Sequence, residues 1–265
     1  MNQKNYEYLQ EQLLYSGFGE SMDAALKKAI KTGESKFVLQ FQRQDEREYV
    51  RAELHYSKSQ QSDMYFFNGY KLELENRQSE QQVSQYFRVN GRDRYTLKEA
   101  YNLLHGRAVH KELTNKQAQR YSAWVQLDFK TVDLAGNRKF NQYHENYGFD
   151  LKAALEKLPI AELQYDESKS LLINSLERGN RHEVTFLLHD QERTVSIQAN
   201  PKFKSLALYD GDQRLEFVSN PVPAKTSEKQ QELEKTNDME TKANKHEKDV
   251  SLEKPKKSVR SKGIR

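Results

Sequence analysis

The sequence predicts an α+β protein built from two or three helix-then-antiparallel-strand modules, followed by a disordered charged tail. Three observations lead there. Segments with apolar residues at helical spacing alternate with segments whose apolar residues recur at every second position. Gly33, Gly106 and Gly179 each close a predicted helix just before strands, at intervals of 73 residues, which suggests a duplicated unit. Large apolar residues thin out after Asn220. Such a tail cannot offset the roughly 1–2 kcal/mol per residue that ordering a backbone costs.

The elements follow in order. Tyr6, Leu9 and Leu13 give residues 5–15 an amphipathic helix. Ser21 is positioned to cap a second helix with Asp23 in its first turn, Leu26 and Ile30 on its buried stripe and Gly33 at its end. Residues 36–43, 48–58 and 63–75 alternate as strands, with Val50, Ala52, Leu54 and Tyr56 as the core face of the second. Asn68-Gly69 marks a bulge or bend in the third. Residues 83–89 read as a strand and Gly91 as a turn. Thr96 and Glu99 form a capping box ahead of Leu97, Ala100, Leu103 and Leu104.

Residues 108–113, 121–132 and 138–147 are strands, the last two joined at Ala135-Gly136-Asn137. Asp150 caps a helix that stops at Pro159. Residues 166–178 form a further helix, followed by strands at 184–188, 194–199, 206–209 and 214–218. The expected organisation is an N-terminal module (1–82), a central module (83–165), a C-terminal module (166–220) and the tail (221–265). The stretch from Thr96 to Leu151 carries the only Trp and the clearest helix and hairpin signals.

Charge divides the chain. Twelve Lys and Arg against eight Asp and Glu follow Asn220, which leaves 31 of each sign in residues 1–220. The basic pI of about 8.9 therefore belongs to the tail. A balanced body without a basic run argues against a folded nucleic-acid platform. The last twelve residues hold Lys254, Lys256, Lys257, Arg260, Lys262 and Arg265 and no acid. Such an arm can neutralise phosphates, solubilise the chain or dock on an acidic partner.

Motif chemistry is sparse. There is no Cys, no G-x-x-x-x-G-K-[ST] or G-x-G-x-x-G loop, no G-x-S-x-G elbow and no H-E-x-x-H pair. No cofactor, metal ligand or catalytic residue is assigned on that basis. His144-Glu145 is the most suggestive polar pair, but a strand would aim the two to opposite faces. A site assembled from scattered residues such as His110, Asp128 and His144 is the least favoured reading. Arg120, Trp124, Tyr143, His144 and Tyr147 fall on neighbouring strands and form a candidate interaction face. Aromatics interleaved with cations serve protein contacts or base stacking, and aromatics are equally at home in a strand core. The absence of Cys fits a reducing cytosol, and no apolar run reaches the roughly 18 residues of a membrane span.

The segments NYEYLQEQLLYSGFGE, SDMYFFNGY, EAYNLLHGRAVHKELTNKQ, AWVQLDF and NQYHENYGFDLKAALEKLPI resemble a domain-of-unknown-function family from conjugative and other mobile elements of Bacteroidota. Related segments in that family occur beside topoisomerase- or primase-like domains, and its members often end in short basic tails. The resemblance covers most of residues 2–217. It implies a bacterial cytoplasm and a mobile-element context, and it carries over no catalytic residue. The fused catalytic motifs of larger relatives are missing here. The expected function is a non-catalytic cytoplasmic accessory or adaptor protein of a mobile element. Its body would bind a protein partner, and its tail would bind DNA or nucleoprotein. The alternative is a pure protein-interaction, regulatory or anti-defence module without nucleic-acid contact. No membrane partner is expected.

Overall fold

A computed structural model of the chain describes residues 2–44, 47–89, 94–188, 191–216 and 224–225. The chain divides into two compact units, Met1–Ala224 and Lys225–Arg265. The helices and sheets described below belong to the first.

The helices form where the apolar stripe and the caps agree. α1 (Gln3–Tyr15) starts at Asn2, whose side chain accepts from the Asn5 N–H, and buries Tyr6, Leu9 and Leu13. α2 (Asp23–Thr32) buries Leu26 and Ile30. Ser21 does not cap it. Residues Glu20–Met22 form a 3₁₀ turn that leads straight into α2, and the Ser21 hydroxyl donates back to the Phe18 carbonyl at 3.5 Å. α3 (Leu97–Leu104) carries the full capping box: Thr96 Oγ1 accepts from the Glu99 N–H and Glu99 Oε2 accepts from the Thr96 N–H. α4 (Leu151–Leu155) begins at Asp150 and is shorter than its apolar pattern suggests. α5 (Asp166–Glu177) buries Leu172 and Leu176.

Thr96→Ala is expected to cost about 1 kcal/mol, because it removes the acceptor for an otherwise unmet helix N–H. Chemical denaturation of Thr96→Ser alongside it should show most of that loss recovered.

Three antiparallel meanders follow the helices. β1 (Lys36–Gln44), β2 (Glu48–Lys58), β3 (Tyr65–Asn76) and β4 (Gln82–Arg88) make the first, β5 (Val109–Thr114), β6 (Arg120–Val132) and β7 (Arg138–His144) the second. β8 (His182–Leu188), β9 (Gln191–Asn200), β10 (Ser205–Asp210) and β11 (Gln213–Glu216) run in the same neighbour-to-neighbour order in the third. β4 pairs with β3 over Gln82–Arg88. A boundary at 82/83 therefore falls inside the first sheet. Asn68 is the extra residue of a bulge, since His55 faces Gly69 while Tyr56 faces Phe67. β7 stops at His144, and Glu145–Tyr147 turns as a 3₁₀ helix. The turn expected at Gly91 and the end of the strand expected at 214–218 lie outside the described residues.

The 73-residue interval is structural. β1, β5 and β8 start at Lys36, Val109 and His182, 73 residues apart each time. Each follows a helix closed by a glycine in the left-handed region: Gly33 at φ 74°, Gly106 at 71° and Gly179 at 79°. β3 and β7 also start 73 residues apart, at Tyr65 and Arg138. The correspondence then breaks, because the second unit has α4 where the first has β4.

The units share cores. The first sheet buries one face, including Leu39, Val50, Leu54, Phe67 and Leu72, against α1, α2 and α3. The second sheet contributes to two cores, on its second face only around Trp124. Val109, Ala123, Val125 and Leu127 join the first core, while Ala108 and Trp124 join a second core with Phe149, Leu172, Val184 and Ile197. Thus α3 touches β3 and β4 on one side and β5 and β6 on the other; α5 likewise touches β5 as well as β8 and β9. Each helix closes the previous repeat as well as its own, as in stacked repeat proteins.

One polar side chain locks α3 to α5. Asn102 is fully buried. Its Nδ2 donates to the Arg178 carbonyl at 2.7 Å and to Asn180 Oδ1 at 2.9 Å, and its Oδ1 accepts from Arg107 Nη1 at 2.9 Å.

Candidate anion-binding cleft

The joint at Asn102 assembles a group of cations. Lys98, Tyr101 and His105 stand at i, i+3 and i+7 and so share one stripe of α3, away from Leu97, Leu103 and Leu104. Arg43 reaches in from the end of β1. Arg107 follows the glycine that ends α3. Arg178 and Arg181 bracket the glycine that ends α5.

Tyr101 is the centre. Three cations lie over its ring: Lys98 Nζ at 5.1 Å, Arg107 Cζ at 5.8 Å and Arg43 Cζ at 6.0 Å from the centroid. Its hydroxyl donates to the buried Glu48 carboxylate, and His105 Nε2 lies 3.2 Å from Glu48 Oε1. Two adjoining cavities share Tyr101. One, of about 500 Å³, is lined by Arg43, Lys98, Arg178 and one acid, Glu99, which pairs with Lys111. The other, of about 560 Å³, is lined by His105, Arg107, Arg181 and Asp212.

The cations outnumber the acids facing them. Among the described residues, Arg43, Lys98, Arg107 and Arg178 form no ion pair. Arg181 Nη1 is 3.7 Å from Asp212 Oδ1, its guanidinium stacks 3.7 Å over Tyr209, and its buried Nε has no protein acceptor. The consequence shows in the titration of the group. Burial pushes the Lys98 ammonium down, with Arg107 and Arg43 adding to the shift and Glu48 opposing it. Arg107 is likewise lowered, first by burial and then by Arg181, against Tyr101 and Glu48. Charges held together at this cost stabilise an incoming anion, and guanidinium forks present two donors at a time to phosphate or carboxylate oxygens.

His105 adds a pH dependence. Burial lowers it below the ordinary imidazole value; Glu48 opposes the shift, while Arg107 and Lys98 add to it. The unfolded chain then binds the proton first as pH falls through about 6.5. Stability supplied by neutral His105 is present above that pH and is lost as pH falls toward the lower folded value. His105→Gln should flatten the part of the stability–pH curve just below about 6.5. Urea melts of both proteins at stepped pH test this, and parallel curves for the two would contradict it.

The residues chosen from sequence lie elsewhere. Trp124 does not belong to an exposed face. It is buried in the second core, 5.4 Å from the Phe149 ring and 5.1 Å from His110. Tyr143 pairs across from Trp124, and His144 across from Ala123. Adjacent strand positions point to opposite faces, so His144 lies behind the sheet from Tyr143, beside the Tyr121 ring. Tyr147 donates to the Lys202 carbonyl at 2.9 Å, and Lys204 Nζ lies 5.0 Å from its ring centroid. Arg120 is exposed and pairs with Glu112 at 3.6 Å. The five therefore form no single face. Lys254, Lys256, Lys257, Arg260, Lys262 and Arg265 lie outside the described residues.

Comparison of the chain with protein-family models, curated proteins and solved structures finds no match. The site therefore stands on its own geometry. Among the described residues, no three His, Asp or Glu side chains come together as metal ligands. No helix among them is long and apolar enough to cross a membrane.

Sequence reasoning overlooked the cleft because its cations are dispersed over residues 43–181 in a body of balanced charge. The i, i+3, i+7 stripe Lys98–Tyr101–His105 was the one local signal. It reads equally as a solvated helix face, and nothing in the sequence shows that Arg43, Arg107, Arg178 and Arg181 converge on it.

Proposed function

We propose that this protein is a non-catalytic accessory or adaptor protein whose body holds an anionic partner in the Tyr101 cleft. The observation that carries the reading is the gathering of Arg43, Lys98 and Arg107 over one tyrosine, with Arg178 lining the same cavity and none of the four in an ion pair among the described residues. An excess of cations over acids in a concave, partly desolvated site favours a ligand that brings negative charge. The resemblance to a mobile-element family supports a role in DNA maintenance or transfer in a bacterial cytoplasm. On this reading the terminal cations from Lys254 to Arg265 add a second, electrostatic contact to DNA or nucleoprotein. The balanced charge of residues 1–220 favours a second reading, a pure protein-interaction or regulatory module whose anionic partner is an acidic protein segment.

Retention on a heparin matrix tests the shared element. Arg43→Gln/Lys98→Gln in the full chain should elute at clearly lower salt than wild type. A control that removes two exposed cations that do not line the cleft, Lys28→Gln/Lys31→Gln on α2, should shift elution less. Equal elution of the two variants would sink the cleft as the body's anion site.

A further inference from the structure

We propose that the ligand of this cleft is a single-stranded nucleic-acid segment, its phosphates seated on Arg43, Lys98, Arg107 and Arg178 as the strand crosses Tyr101. The inference rests on the anion-binding reading above and deepens it.

Three features point to a flexible strand. First, the charge is distributed along a path. Arg43, Lys98 and Arg178 line one cavity and Arg107 and Arg181 the next, with Tyr101 shared between them. A compact anion would occupy one cavity; a chain with regularly spaced charges would occupy both. Second, Arg107 is recessed. It lies behind the α3 glycine with Nη1 bound to Asn102, and burial lowers its pKa. The phosphates of a duplex are fixed on the outside of a wide rod. A single strand can lower its phosphates into a concavity, which is how basic grooves track such strands. Third, the acids on these walls are already engaged. Beside the guanidinium groups stand Lys98 and the amide of Asn180, while Glu99 pairs with Lys111 and Asp212 with Arg47 and Arg181. The buried acid Glu48 is engaged by Tyr101 and His105. An acidic peptide would bring backbone N–H groups that need acceptors, whereas a phosphodiester strand brings mainly acceptor oxygens.

The test uses the full chain, tail included, and a fluorescein-labelled thymidine oligomer of about 12 nucleotides, within the span of typical single-strand sites. Anisotropy titrations over a salt series compare wild type with Arg43→Gln/Lys98→Gln, whose side chains are exposed and whose melting temperature should match wild type. Loss of two phosphate contacts should weaken binding about tenfold and make the slope of log K against log salt shallower by about 1.4, at roughly 0.7 per contact for single strands. Wild type should bind a duplex of equal length more weakly once that slope is allowed for. Should the double variant lose its fold, ultraviolet crosslinking of the wild-type complex replaces it, with thymidine expected on the α3 peptide that holds Tyr101.

Unchanged affinity and slope in the double variant, or crosslinks confined to residues after 225, would overturn the proposal. So would equal affinity for the duplex. Displacement of the oligomer by poly-glutamate at matched charge, with the same dependence on Arg43 and Lys98, would overturn it in favour of an acidic peptide. That last outcome leaves the adaptor reading standing, whereas loss of the heparin effect would remove both.

Discussion

Replacing Gly179 with alanine should lower the stability of the protein by about 2–4 kcal/mol, although only one methyl group is added. Two effects combine. Gly179 sits at φ 79°, where an L-residue pays about 1–2 kcal/mol. A Cβ there would also lie 2.8 Å from the Ala108 carbonyl oxygen, 2.9 Å from Val109 Cγ2 and 3.1 Å from Asn102 Cβ. Val109 opens β5, Ala108 is the residue just before it and Asn102 is on α3, so none of the three atoms is the far end of a long flexible side chain. Relieving the contact means moving α5 off the neighbouring repeat, which for a single methyl group costs about 1–2 kcal/mol more, the low end for overpacking. The comparison is internal. Gly33 has nearly the same φ and no atom within 4 Å of its Cβ position, so Gly33→Ala should show only the conformational part. Denaturant unfolding of the two variants separates the terms. Equal losses would mean that Gly179 is simply a helix terminator and that the joint is not tightly packed.

Phe67→Ala should be costlier still, about 3–5 kcal/mol, as is usual for a buried phenylalanine cut back to alanine. Phe67 is fully buried beside the bulge of β3. It stacks on Tyr56 at 4.9 Å, meets Phe18 edge-on at 6.3 Å and lies 6.5 Å from Tyr70. Tyr56 on β2, paired directly across from Phe67, and Tyr70 on β3 are themselves fully buried and held by their strands, so the cavity cannot readily collapse. Its neighbour Phe66 is 41% exposed, and Phe66→Ala should cost about 1 kcal/mol or less. The same variant probes how the repeats are coupled. The single Trp, Trp124, lies in the second core, whereas Phe67 lies in the first. The second sheet contributes to both cores, so tryptophan fluorescence should report the same drop in midpoint as circular dichroism. A fluorescence transition that stays in place while the other moves would show that the cores unfold separately.

How much of this was legible beforehand depended on the range of the interaction. The capping box at Thr96 and Glu99, the bulge at Asn68 and the glycines that end the helices are encoded within about five residues. They read correctly because each depends on its own backbone geometry. Ser21 misled because capping was inferred from residue type alone, while Phe18 and Gly19 set a 3₁₀ entry that leaves the hydroxyl facing backwards. Trp124 misled for a longer-range reason. Alternation predicts one buried face and one wet face for a strand, but β6 is covered on its second side around Trp124, so that one even-numbered position is interior too while Arg120, Lys130 and Val132 stay exposed. A boundary at 82/83 followed the polar stretch after β3, which is only the turn that returns β4 to the same sheet.

The sequence by itself determined the α+β class, the order of helices and strands along the chain and the 73-residue interval. All of these follow from local periodicity and turn chemistry, which need no knowledge of distant neighbours. The tertiary structure alone decided that the repeats share cores, that Asn102 and Gly179 form the joint, and that Arg43, Lys98 and Arg107 meet over Tyr101 with Arg178 and Arg181 on the walls of the adjoining cavities. Packing brings residues 43, 98, 107, 178 and 181 together. Net charge is a sum over the chain, whereas an electrostatic site depends on where each charge is held. A body that is neutral overall can therefore carry a cleft that is not.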